Sequence, residues 1–345
     1  LQQGRQLCGA EIETVTRAAE QDGDLIVACT RMAPVFDAAF AELGIAVSPA
    51  YANIRETAGW SVQGKAATPK MAALLALAGE PAADVPLITL KSEGVAIVYG
   101  GDETAFEVAG KLADTLDITV LLTKPAATLP PRAADYPLYR GTIRQATGHL
   151  GAFRLAVDDF AAVAPSSRGA LRFLAPRNGA KSECDLILDV SGGTPLFPAA
   201  DLRPGYLRAD PRDRAGLERL IAEARDLIGE FDKPRYVDVD PGLCAHSRSR
   251  ITGCTRCLDV CPTGAISPAG DAVAIDPAIC AGCGGCGALC PTGAASYALP
   301  APDRLMQTLR TLLATYHGAG GTNPVLLIHD GGHGEDMIHA LSHHG

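Results

Sequence analysis

Cys254, Cys257 and Cys261 stand at C-x2-C-x3-C spacing with Pro262 next, and Cys280, Cys283, Cys286 and Cys290 stand at C-x2-C-x2-C-x3-C with Pro291 next. Thiolates at the second spacing are the bacterial-type ligand run for iron–sulfur clusters. Three cysteines of one tight loop reach three irons of one cubane, and the fourth, before proline, serves the other cluster. Gly282, Gly284, Gly285 and Gly287 let that loop wrap closely and turn N–H groups toward the sulfurs. The stretch CPTGAI at 261–266 recurs as CPTGAA at 290–295, which predicts two pseudo-symmetric halves.

Aligned on that repeat, the first half has Ile251 where its first cysteine belongs. The nearest upstream cysteine is Cys244, and a seven-residue insertion would displace it. Cys244 is therefore the expected missing ligand, with His246 in the same insertion as the alternative; a three-iron cluster lacking one ligand is a further option. The expected ligation is crossed. Cys244, Cys254, Cys257 and Cys290 serve one [4Fe-4S] cluster, and Cys280, Cys283, Cys286 and Cys261 the other. Zinc sites or buried free thiols are the competing reading, and the repeated C-P-T-G argues against them. No catalytic side chain is expected.

The elements that carry these cysteines sit in a long chain. Its 345 residues suit two or three domains, and its 47% apolar content suffices for sizeable cores. A net charge of -9 and 5% aromatic content argue against non-specific nucleic-acid binding. No apolar run reaches the roughly 18–20 residues that cross a bilayer, and the first residues lack the apolar core of a secretory signal. A cytoplasmic protein without a membrane span is expected, and its 11 cysteines read as metal ligands rather than disulfides.

The expected fold is α/β: Rossmann-like, degenerate dinucleotide-binding units plus a bacterial-type 2[4Fe-4S] ferredoxin domain of α+β class. The expected domains are an N-terminal α/β unit over 1–84, a degenerate Rossmann-like domain over 85–232, the ferredoxin domain over 233–300, and the start of a further α/β unit over 301–345. Helical spacing marks 11–20, 33–44, 68–79 and 214–231; strand patterns mark 24–30, 94–100, 117–123, 151–160, 169–176, 184–190 and 324–330. The turn at 100–105 reads GGDETA. A pyrophosphate turn wants G-x-G-x-x-G. Gly100 and Gly101 are present, but Asp102 stands where backbone must approach a phosphate, and Ala105 takes the third place. The second strand ends at Lys124 instead of at a ribose-binding acid. FAD and nicotinamide cofactors are therefore not expected.

The segments VACTRMAPVFDAAFAELG, ANIRETAGWS and ATPKMAALLA resemble the N-terminal region of the heterodisulfide reductase A family, whose plan also includes a flavin domain and a two-cluster ferredoxin domain. A second likeness is to long bacterial 4Fe-4S binding proteins. The first resemblance implies that Cys8 and Cys29 are the last two of four ligands of a third cluster, whose C-x-C pair would precede Leu1. The chain starts at Leu1 rather than Met, and a longer or processed protein is expected, so the third site would be completed only in a longer chain. The second resemblance implies redox partner proteins, among them a molybdenum formate dehydrogenase or similar oxidoreductase. The expected function is single-electron transfer between partner redox enzymes. The alternatives are a flavin-dependent oxidoreductase resembling heterodisulfide reductase A, with FAD at 94–124, and a scaffold with structural clusters.

Overall fold

The computed structural model describes residues 4–21, 24–81, 84–101, 103–123, 125, 135–165, 170–248 and 251–342. Asp102 and Lys124 lie outside the described residues. Residues 1–83 and 303–345 form one compact unit, and residues 84–302 a second.

In the first unit α1 (Ile12–Gln21) buries Val15, Thr16 and Ala19 on one stripe. Strand β1 (Ile26–Val27) pairs in parallel with β2 (Ala50–Tyr51). Between them runs α2 (Ala33–Glu42), which has a proline in its first turn and ends before Gly44 at φ +68°. Phe36 and Phe40, four apart on α2, are buried against Val15, Ala19 and Val27. The strand expected over 24–30 shrinks to two residues, because Cys29 N–H turns back to the Val27 carbonyl at 2.8 Å and leaves the ladder. Helix α3 (Thr68–Ala78) follows.

The second unit is built on a seven-stranded sheet. Strand β3 (Leu87–Ser92) precedes it, and the sheet comprises β4 (Val95–Gly100), β5 (Asp117–Leu122), β6 (Leu138–Thr147), β7 (Phe153–Ala162), β8 (Ala180–Cys184), β9 (Leu186–Val190) and β10 (Tyr206–Arg208). Their order is β10-β9-β4-β5-β6-β7-β8. The first five are mutually parallel, and β7 and β8 add antiparallel. Successive side chains of a strand point to opposite faces. Ala96 and Val98 accordingly meet α4 (Glu103–Leu112) and α5 (Arg214–Arg225) in one core. Ile97 and Tyr99 meet Phe153, Leu155, Val157 and Phe197 in the other. Burial on both faces is why the central parallel strands read as unbroken apolar runs.

Two local expectations give way to pairing. The helix expected over 214–231 stops at Arg225, and β11 (Gly229–Pro234) pairs antiparallel with β3. Gly229 at φ +123° cannot continue a helix, and β3 offers Phe231 a partner in Leu90. Of the strand expected over 169–176, the described residues 170–176 form only the isolated bridge of Phe173 to Val163, with Arg177 just beyond bridging to Phe160.

The chain then enters the cysteine-rich region: β12 (Val237–Val239), the hairpin β13 (Ser247–Arg248) and β14 (Ile251–Thr252), α6 (Arg256–Val260), β15 (Ile266–Ala269), β16 (Ala272–Ile275), α7 (Gly285–Leu289) and β17 (Ala295–Tyr297). Helices α8 (Pro302–Gly318) and α9 (His333–Ser342) close the chain. Arg304 reaches back to the Pro81 carbonyl at 2.5 Å, and Thr311 bonds Glu80. Residues 324–330, expected as a strand, form no ladder among the described residues; Val325 and Ile328 are largely exposed. Among the described residues no helix is long and apolar enough to cross a membrane.

Candidate metal centre

The cysteine-rich region is two copies of strand–loop–helix–loop–strand. The first runs β12, α6, β15 and the second β16, α7, β17. Each strand pair crosses or joins the copies: β12 pairs with β17, and β15 with β16. The symmetry reaches single hydrogen bonds. Asp240 N–H donates to the Ala294 carbonyl and Asp276 N–H to the Ala265 carbonyl, both at 2.8 Å. Asp240 then accepts the Gly242 N–H at 2.8 Å, and Asp276 accepts the Ala278 N–H at 2.9 Å. Both are aspartate side chains mimicking a backbone turn, and each turn delivers the cysteine four residues on.

Two recesses result. One is lined by Cys244, Cys254, Cys257 and Cys290, with His246 and Arg256 also on its wall. The other is lined by Cys261, Cys280, Cys283 and Cys286. Each therefore gathers three cysteines of one copy and the pre-proline cysteine of the other, the grouping expected from the repeat. Among the described residues no three His, Cys, Asp or Glu side chains are arranged to hold a single metal ion. Zinc needs its sulfurs about 2.3 Å from one centre. A cubane takes each of its thiolates on a different iron.

The two copies also treat their thiols alike. Burial pushes the Cys257 and Cys286 thiols up. Burial acts the same way on Cys261 and Cys290, but donors around their sulfurs outweigh it. Ala265 N–H lies 3.3 Å from the Cys261 sulfur and Ala295 N–H 3.4 Å from that of Cys290. The Thr263 and Thr292 hydroxyls lie 3.7 and 3.6 Å from the same sulfurs. The Cys261 thiol is held below its ordinary range, and Cys290 falls to about 7. The repeated C-P-T-G-A is thus a turn that aims donors at a thiolate, which suits an anionic metal ligand.

A sequence signal for Cys244 extends beyond the C-P-T-G repeat. DPGLC at 240–244 matches DPAIC at 276–280, 36 residues on, whereas Cys254 and Cys283 are 29 apart. The difference is the seven residues 246–252. Without them the first copy would read Cys-Ala-Gly-Cys, as 280–283 does. The insertion is the β13–β14 hairpin, closed where Gly253 N–H donates to the His246 carbonyl at 2.8 Å. His246 is buried, and its Nδ1 lies 2.9 Å from the Cys254 carbonyl oxygen. A carbonyl only accepts, so Nδ1 carries the proton and the ring braces the backbone of a cysteine.

The comparison with protein families settles the class of this region. Residues 250–294 match the 4Fe-4S dicluster domain. The match supports an iron–sulfur electron-transfer role, and the donor set fits it, being all thiolate and grouped around two cavities. The comparison with curated proteins gives no match.

The dicluster domain is joined to the sheet by two cations that the sequence did not mark. Lys233 of β11 donates to the Pro277 carbonyl at 2.6 Å and to the Cys280 carbonyl. Arg203, 7% exposed, donates to the Thr263 carbonyl at 2.6 Å and the Gly148 carbonyl at 3.0 Å, and lies over the Phe197 ring. Neither has a spacing signature.

The other candidates behave differently. Cys8 and Cys29 are half-buried against one shared core in the first unit. Arg55, held charged chiefly by its bond to Glu56, lies within electrostatic reach of both. At 100–105, a Cβ on Gly100 would stand 2.7 Å from the Ala105 Cβ. Gly100 and Ala105 are small because β4 and α4 touch there. A Cβ on Gly101 would meet nothing nearer than Thr123 at 3.6 Å.

Proposed function

We propose that the chain carries single electrons between partner redox enzymes through two [4Fe-4S] clusters held in residues 233–300. Cys244, Cys254, Cys257 and Cys290 hold the first cluster, and Cys261, Cys280, Cys283 and Cys286 the second. The observation that carries this is the pair of recesses, each ringed by four cysteines drawn from both copies of the repeat. A bound [4Fe-4S] cluster supplies one-electron oxidation and reduction. The chain's own groups do the rest: the C-P-T-G-A turns aim donors that favour the anionic form of the Cys261 and Cys290 sulfurs, the aspartate turns aim Cys244 and Cys280, and the sheet serves as scaffold. The reading of the sheet as a scaffold without flavin rests on the sequence of the 100–105 turn, where Asp102 replaces the second glycine of the pyrophosphate pattern. Cys8 and Cys29 are proposed as half of a third site, in keeping with the resemblance to heterodisulfide reductase A, and the setting is proposed to be cytoplasmic.

Iron and sulfide quantitation on protein purified without oxygen tests the central claim. Two cubanes require about eight irons per chain. About four irons would reject the two-cluster assignment, and flavin released on denaturation would reject the scaffold role of the sheet.

A further inference from the structure

We infer that Arg203 and Lys233 make the Cys261/Cys280/Cys283/Cys286 cluster the higher-potential member of the pair, so that an electron delivered to this domain comes to rest there. The inference rests on the two-cluster reading and goes beyond it by giving the domain a direction.

The two copies are nearly the same, so most terms cancel. Asp240 and Asp276 occupy equivalent turns, each exposed. The C-P-T-G-A turns give Cys290 and Cys261 matching donors. The second recess keeps Cys283 exposed, so burial does not set it apart. What remains is fixed charge. Against the first cluster's recess stand Arg256, which is exposed, and His246, whose Nδ1 faces the Cys254 carbonyl. Asp259 nearby is exposed and bonded to Thr255 at 2.8 Å.

The second cluster's loops are clamped by Arg203 on the Thr263 carbonyl and Lys233 on the Pro277 and Cys280 carbonyls. Among the described residues neither has a counterpart in the first copy, because both come from the sheet unit outside the repeat. Arg203 is buried and Lys233 half-buried, so water and salt screen them far less than Arg256. Burial opposes both charges; Cys261 and Asp276 offset it at Arg203, and Cys280 and Asp276 at Lys233. Each cation thus lies within electrostatic reach of a ligating sulfur of the second cluster. Reduction adds one negative charge to a cluster, and a nearby buried cation favours that state. The transfer balances within the chain: the first cluster is oxidised by one electron and the second reduced by the same electron.

The test is a potentiometric titration followed by electron paramagnetic resonance on anaerobically purified protein. Iron content is measured first, so that loss of the two-cluster reading is seen separately. Two midpoints are expected, and Cys283→Ala should remove the upper one. Lys233→Met and Arg203→Gln should each lower the upper midpoint, shifting the electron partition by about tenfold, or about 59 mV for one electron, and move the lower midpoint less. Lys233→Arg and Arg203→Lys should restore it. If Arg203→Gln loses iron, Lys233→Met alone decides. With about eight irons present, a Cys283→Ala protein that keeps the upper midpoint, or cation variants that leave both midpoints in place, overturns the inference.

Discussion

The two copies of the dicluster region share a strand pair, an aspartate turn, a short helix and a donor-lined C-P-T-G-A turn, yet they differ at one loop. Between its first two cysteines the second copy has Ala281 and Gly282, while the first has Ala245, a seven-residue hairpin and Gly253. The glycine demands differ with it. Gly282 and Gly284 sit at φ +73° and +75° beneath the rings of Tyr236 and Tyr297. In the first copy Thr255 stands where Gly284 would, with φ −123°. A cysteine can thus be displaced in sequence and still line its recess, as Cys244 does, where the turn before it is kept.

The sharpest way to break the comparison is to remove the displaced cysteine, the proposed ligand Cys244. Cys244→Ala should cost one cluster, lowering iron from about eight to about four per chain, while Cys290→Ala should empty the same recess although it lies in the other copy. Iron analysis with resonance spectra checks both; two clusters surviving in Cys244→Ala would take Cys244 off the ligand list. Next in size is Gly284→Ala. Its Cβ would lie 1.3 Å from the Tyr297 hydroxyl oxygen, and backbone strain alone costs about 1–3 kcal/mol. The equivalent Thr255→Ala loses one exposed hydrogen bond to Asp259, worth about 1 kcal/mol. Anaerobic thermal melts should rank them in that order, and equal losses would mean that the copies are built alike at this position after all.

A smaller effect is expected from deleting residues 246–252, which makes the first copy read Cys-Ala-Gly-Cys. Iron should stay at about eight per chain, with the melting temperature lowered; loss of one cluster would show that His246 or its hairpin holds the metal. The smallest effect belongs to Thr263→Val and Thr292→Val. Each removes a long hydroxyl contact to one sulfur, and each midpoint should move by less than the about 59 mV that marks a tenfold change. Larger shifts would mean that the hydroxyls set the level of each potential more strongly than the buried cations do.

The cysteine spacing and the C-P-T-G-A repeat are local, and local chemistry can be read from sequence: proline and glycine fix the turn, and the turn fixes where the thiolate points. The helix at 33–42 and the strand at 95–100 were legible for the same reason, since their apolar periodicity reflects burial on one face or two. The sequence even carried a second repeat, DPGLC and DPAIC, that marks Cys244 as the counterpart of Cys280 in the other copy. Residues 226–231 were misread as helix because strand β11 exists only through its ladder with β3, more than a hundred residues earlier. The same ladder puts Lys233 beside the Cys280 loop. Arg203 reaches Thr263 across sixty residues from a turn with no motif of its own. Sequence alone determined which atoms could bind metal; the tertiary structure decided which charges stand beside them, because electrostatic reach depends on distance through the fold and not along the chain.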